Sequence, residues 1–253
     1  MSMRGRRLRW IAVGLVVLIG LYFVLDVVAL RFMESRGATE LTRAMTAEEG
    51  KLDLGGIPFL PGFIRGRIAK AEADVRGASG SGGLRVNMVR ATMTELRFNW
   101  RDMFALSRSL FSRRSKVQMR EPFGLIEIAQ EDLGDFLKRH VPMVGSVEIR
   151  ATGIEVRFLK EPLDEGDEPT QEDLTEPARL LPRVLDRRLS LSLVGVAQVP
   201  EKLRHLAQRL ERVIDLPRVP EGLRTDVRLG DRLFVLEATG AELELTIGEG
   251  ESE

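Results

Sequence analysis

Cysteine is absent from all 253 residues, which excludes disulfide scaffolds, thiolate metal sites, cysteine nucleophiles and a lipid-modified N-terminal cysteine together. Histidine is nearly absent: His140 and His205 stand apart, with no carboxylate or second histidine at ligand spacing, so no metal centre and no cofactor is expected. One tyrosine, and a mildly acidic composition beyond the N-terminal segment, leave out the basic surface and stacking groups of a nucleic-acid binder. G-x-S-x-G, the Walker phosphate loop, the dinucleotide glycine fingerprint and H-E-x-x-H do not occur, and no Lys-Ser or Lys-Thr follows the run ASGSGG at 78–83. Carboxylate pairs can assemble by chance in any acidic chain, but no pattern here points to them, and the expectation is a protein without catalytic residues.

What the chain does contain is polarised. Acidic and basic residues balance at 38 each, yet Arg4, Arg6, Arg7 and Arg9 crowd one end and Glu242, Glu244, Glu249, Glu251 and Glu253 the other. Between the basic cluster and Arg31 lies WIAVGLVVLIGLYFVLDVVAL, Trp10 to Leu30, long enough to cross a bilayer, with Asp26 as its only charge. Four arginines before it against Arg31 alone after it orient the N-terminus to the cytoplasm, so the rest of the chain is expected outside the cytoplasmic membrane, on its periplasmic or cell-wall face, behind a single span. Val27, Val28, Ala29 and Leu30 make a poor cleavage site, which favours an uncleaved anchor. Asp26, about one turn from the outer end, is expected to snorkel to the interface.

The expected divisions are a cytoplasmic tip at 1–9, an anchor at 10–31, a juxtamembrane amphipathic helix at 32–48, a domain at 49–247 and an acidic tail at 248–253. Within the domain, Ala69, Ala71, Ala73 and Val75 alternate with charged residues on a strand from about Gly66 to Gly77. Leu84, Val86 and Met88 continue the alternation on the next strand, and a phase change near Val89 predicts a bulge. A short helix over 100–115, a strand over 117–128, a helix carrying Leu133, Phe136 and Leu137, and strands over 147–151 and 154–158 follow. The stretch 161–177 is acidic, punctuated by proline and expected as an exposed loop. A strand with Leu189, Leu191 and Leu193 and a helix striped by Leu203, Leu206, Leu210, Val213 and Ile214 precede three closing strands at 223–229, 232–238 and 241–247, read as an antiparallel meander. The fold class is α+β: an N-terminal transmembrane helix, then a curved antiparallel sheet, tubular or roll-like, wrapped on one or two amphipathic helices.

The run Gly55-Gly56-Ile57-Pro58-Phe59-Leu60, followed by Gly66-Arg67 and the strand ending at Gly77, resembles the LmeA-like phospholipid-binding family of actinobacterial cell-envelope proteins. Leu216-Pro217, Pro220, Gly222-Leu223 and the closing strands through Leu245 resemble the same family's C-terminal pattern. The resemblance spans about residues 45–247 and implies an envelope protein that holds phospholipid or a related lipid in an apolar cavity, with no catalytic residues. Enclosing an acyl chain is worth about 0.8 kcal/mol per methylene, on the order of 10 kcal/mol for sixteen carbons, so affinity needs little polar chemistry. Candidate lipid-contacting residues are Ile57, Phe59, Leu60, Phe63, Val75, Val86, Met88, Leu206 and Leu210, all of which equally suit a solid core. Arg97, Arg101, Arg113 and Arg114 are candidates for anionic headgroups or ordinary solvated surface. The expected partners are phospholipid and membrane, with envelope proteins as possible further partners. The rival readings are an anchored scaffold for envelope-assembly enzymes, betrayed by an exposed apolar patch, and, less favoured, an envelope hydrolase.

Overall fold

A computed structural model describes residues 3–56, 58–80, 83–99, 115–162, 169–185, 188–194 and 221–247. The helices expected over 100–115 and across Leu203 to Ile214, the N-terminal end of the basic tip and the acidic tail lie wholly or largely outside the described residues.

One helix, α1 (Met3–Ala44), carries the basic cluster, the apolar run and the juxtamembrane segment without a break. The juxtamembrane helix expected at 32–48 is the continuation of α1 itself, which ends at Ala44; Gly37 continues the helix and lies close against the domain, since a Cβ there would collide with Leu52. From Leu15 to Leu25 every described side chain is exposed, whereas from Asp26 onward a stripe at helical spacing, Leu30, Met33 and Leu41, faces the protein. The first part of the apolar run, through Gly14, and Val16 lie outside the residues whose side chains are described, and among the described residues no helix is long and apolar enough to cross a membrane.

Among the described residues the domain is mostly antiparallel sheet, with no closed barrel. Sheet A contains β1 (Glu49–Gly55), β2 (Arg67–Ser79), β3 (Arg85–Phe98), β4 (Ser115–Ala129), β9 (Leu223–Leu229), β10 (Leu233–Gly240) and β11 (Glu242–Ile247), in the order β1-β2-β3-β4-β10-β9. Sheet B is a second, four-stranded sheet, β5 (Val144–Arg150), β6 (Gly153–Phe158), β7 (Ala178–Leu185) and β8 (Arg188–Val194), paired in that order. The closing strands are not a meander. β11 leaves β10 after Ala241 and pairs β4 through Glu242↔Arg120 to Ile247↔Ser115, because β10 occupies only the 123–129 half of that long strand.

Helix α3 (Gln130–His140) lies in the main core. Its apolar stripe, Leu133, Phe136 and Leu137, is fully buried among Val75 and Val86 of sheet A and Ile149, Phe158 and Leu180 of sheet B. Glu131 and Asp132 open it and Lys138, Arg139 and His140 close it, matching the helix dipole at both ends. Acidic residues do not make all of 161–177 a bare loop: Leu174 bridges Leu159, and buried Thr175 accepts the Phe158 amide through its hydroxyl at 3.1 Å. The phase change near Val89 is real in burial, with Val86 and Val89 both facing inward, but the β2–β3 register runs through it unbroken opposite Gly77, whose φ is +61°. The ladder irregularities sit further along β3, between Thr92 and Arg97, where Glu95 and its neighbour on β4, Glu121, both adopt positive φ.

Candidate functional site

A second, smaller apolar cluster lies at the other end of sheet A: Leu54, Phe59, Phe63, Ile68 and Ala71, with Leu30 and Met33 of α1 and Leu96 and Phe98 of β3 packed on it. Its centre is α2 (Phe59–Ile64), six residues that read FLPGFI. As sequence the run reads as a rigid turn, because Pro58 fixes its own backbone and glycine and proline interrupt it. Pro58 does enter extended, at φ −77° and ψ 133°, but the chain then closes one short helix. No side chain of its own caps it.

The cap comes from α1. Asp26 is buried and accepts the Phe59 amide on Oδ2 at 2.8 Å and the Leu60 amide on Oδ1 at 2.6 Å, two of the orphan donors that open every helix. Snorkelling to an interface is therefore the wrong account of this carboxylate; it is a latch between the apolar run and α2. Two turns on, Glu34 repeats the device, its Oε1 accepting the Leu54 amide at 3.1 Å. Past α2, Gly66 adopts φ +70°, and a Cβ there would run into the Phe98 carbonyl, so only glycine lets β2 leave this close beneath β3. Phe63 lies between Phe59, on which it stacks, and Phe98, against which it is tilted, both centroid separations being 5.5 Å.

Against α2 opens a mostly apolar pocket of about 260 Å³, formed by Gly55, Gly56, Pro58, Phe59 and Gly62 on one side and Ile68, Ala69 and Leu96 on the sheet. Two arginines and one carboxylate line it: Arg67, Arg97 and Glu95. Arg67 and Arg97 are directly opposed across the β2–β3 ladder, a like-charge pairing that costs stability unless an anion joins it. Glu95 answers only in part, since it meets Arg97 at 3.5 Å and Arg120 at 3.1 Å, and among the described residues Arg67 has no ion-pair partner. The pocket thus carries an excess of one positive charge at an apolar cleft. A neighbouring groove of about 190 Å³ runs from Glu95 and Arg97 to Gln118, Arg120 and Glu244. There Lys116 and Gln118 hydrogen-bond the Glu244 carboxylate and hold it below the usual glutamate range, while Glu244 in turn raises the Lys116 ammonium. At the distant start of α3, partial burial raises the Asp132 carboxyl despite nearby Arg85.

Of the residues expected to touch lipid, Phe59, Leu60 and Phe63 come together at this pocket end, and Arg97 lines the pocket itself. Val75 and Val86 belong to the α3 core instead, and Met88 lies beside Arg90 on the outer face. Ile57, Leu206, Leu210, Arg101, Arg113 and Arg114 lie outside the described residues. Sequence reasoning missed Asp26, Arg67, Ala69 and Leu96. A carboxylate inside an apolar run was the one visible signal among them. His140 rests on its own helix, its Nδ1 2.9 Å from the Phe136 carbonyl, and among the described residues no three His, Asp or Glu side chains converge as metal ligands.

A family model described as LmeA-like phospholipid-binding matches residues 24–244, from two residues before Asp26 to β11. No curated protein and no solved structure matches the chain.

Proposed function

The chain belongs to the LmeA-like phospholipid-binding family, and from that premise we propose that it is a membrane-anchored, non-catalytic phospholipid-binding protein whose lipid site is the pocket beneath α2. The observation that carries the reading is the pairing of an apolar cleft with two opposed arginines, Arg67 and Arg97, of which only Arg97 meets a carboxylate, Glu95. A phosphodiester supplies the missing negative charge and accepts from a guanidinium on two oxygens at once. The volume, about 260 Å³, falls just under the roughly 300–1,000 Å³ of pockets that enclose a whole small ligand. The proposed mode is therefore partial: headgroup and the start of an acyl chain in the pocket, the remainder left in the bilayer.

That mode needs a bilayer within reach. Twelve of the fourteen large apolar side chains most exposed among the described residues lie on α1 between Leu15 and Phe32, a surface that water does not favour and acyl chains do. With Arg4, Arg6, Arg7 and Arg9 retained on the cytoplasmic side, the domain projects from the outer face of the cytoplasmic membrane. An envelope scaffold would need its exposed apolar patch on the domain; among the described residues beyond α1, only Ile64 and Val194 stand out.

The test is photo-crosslinking of the full-length protein in vesicles containing an anionic phospholipid with a photoactivatable group near the carbonyl end of one acyl chain. Adducts on Pro58, Phe59, Ala69 or Leu96, lost in Arg67→Glu, are expected. Adducts confined to sheet B, or indifferent to Arg67→Glu, would rule out this pocket as the lipid site.

A further inference from the structure

We infer that α2 is a bilayer-immersed tip: the segment Phe59–Ile64 lies at the depth of the acyl chains, and the pocket mouth beside it opens at headgroup level. The inference rests on the anchoring role of α1 proposed above and adds to it a second point of insertion and a fixed depth.

Depth follows from the latch. Asp26 does not lie beyond the apolar run but inside it, and exposed Val27, Val28 and Phe32 come after it. At about 1.5 Å per residue, Phe32 is about 9 Å further along α1 than Asp26. Because both Asp26 oxygens bond the first amides of α2, the start of α2 is locked level with a part of α1 that is still apolar outward. An acid at that level is tolerable because it faces the protein and is fully hydrogen-bonded there.

The chemistry of α2 agrees with its depth. FLPGFI carries no charge, buries Phe59 and Phe63 inward, and leaves Ile64 60% exposed. Charge begins at once on leaving it, with exposed Arg65 and Arg67, and on α1 the exposed Arg31, paired with Glu34 at 3.6 Å, follows Asp26 by five residues. An apolar tip collared by arginines matches hydrocarbon below and anionic headgroups above, each arginine being worth about 1 kcal/mol near a charged surface. The same collar contains Arg67 of the lipid pocket, so a lipid would enter sideways from the leaflet without passing through water.

The experiment uses the full-length chain in vesicles of phosphatidylcholine and phosphatidylglycerol. The chain has no cysteine, so single reporters are clean: Ile64→Cys, Arg65→Cys, Leu18→Cys and Asp231→Cys, each carrying an environment-sensitive fluorophore and challenged with lipids spin-labelled on the acyl chain or the headgroup. Asp231 sits beyond the opposite end of β4, about 40 Å away at roughly 3.3 Å per residue, and serves as the dry-land control. Leu18 and Ile64 are expected to be quenched several-fold more by the acyl-chain label than Asp231, and Arg65 mainly by the headgroup label. If Leu18 is quenched and Ile64 and Arg65 behave like Asp231, the anchor stands and the immersed tip is refuted. If neither Leu18 nor Ile64 is quenched, both readings fail. A blue-shifted but unquenched Ile64 reporter would mean that protein, not lipid, covers the tip, and would overturn the inference as well.

Discussion

Replacing Asp26 with alanine should open α2 while leaving the α3 core closed. The carboxylate accepts two backbone N–H groups at 2.8 and 2.6 Å, and bonds to a charged acceptor are worth about 1.5–3 kcal/mol each. Removing the acid also removes the cost of keeping a carboxylate buried, which offsets part of that loss. A net local loss of about 2 kcal/mol follows, near the upper end of measured N-cap deletions. At 1.4 kcal/mol per factor of ten, the protection of the Phe59 and Leu60 amides against hydrogen exchange should fall about 30-fold. Asp26→Asn keeps one acceptor oxygen without the charge and should fall between. The assay is hydrogen exchange of the full-length protein in lipid nanodiscs, read on a peptide spanning residues 58–65, with the α3 peptide 133–140 as internal reference. Less than a threefold change at Phe59 and Leu60, or equal loosening of α3, would refute the latch.

Four other substitutions separate the parts of the account. Gly37→Leu should lower the thermal midpoint by driving its side chain into Leu52, an overpacking cost of about 1–3 kcal/mol, and should expose the β1 amides first in hydrogen exchange. Phe59→Ala should cost about 3–5 kcal/mol within the α1–α2 cluster and abolish lipid crosslinking, whereas Leu137→Ala, in the α3 core, should cost about 2–5 kcal/mol in global denaturant unfolding without changing where lipid attaches. Glu244 should titrate below its ordinary value of 4.5 by carboxyl NMR, because Lys116 and Gln118 hold its ionised form; its tie to β4 is present above the unfolded value, is lost as pH falls through the depressed one, and Lys116→Met should move the midpoint upward.

The parts that could be read from the sequence are those where one face of an element meets one environment. Leu133, Phe136 and Leu137 fall at helical spacing and are buried, and the alternation of Ala69, Ala71, Ala73 and Val75 with charged neighbours marks β2, although Ala69 is exposed and Ile68 beside it is buried. β7 escaped notice because Pro182 and two arginines break its alternation; Pro182 stands beyond the β6 ladder, which ends at Leu180, and keeps its register with Leu191 of β8. β11 was assigned to the wrong neighbour because turn chemistry identifies connections and says nothing of how much of a long partner such as β4 is already occupied. The pocket was half legible. Phe59 and Phe63 announced themselves beside Pro58, but Arg67 and Arg97 become a pair only through the β2–β3 register, 30 residues apart in sequence. Asp26 was visible as an anomaly, yet its partners are 33 and 34 residues away, and no local rule could name them.

The most direct measurement is native mass spectrometry of the full-length protein released from nanodiscs of mixed phospholipid, comparing the wild type with Ala69→Trp, which fills the pocket from the sheet side without touching the α3 core. The account predicts one retained phospholipid per wild-type chain, its anionic forms preferred, and loss of that lipid in Ala69→Trp at an unchanged thermal midpoint. A bare wild-type protein, or a variant that keeps its lipid at full stoichiometry, would contradict it.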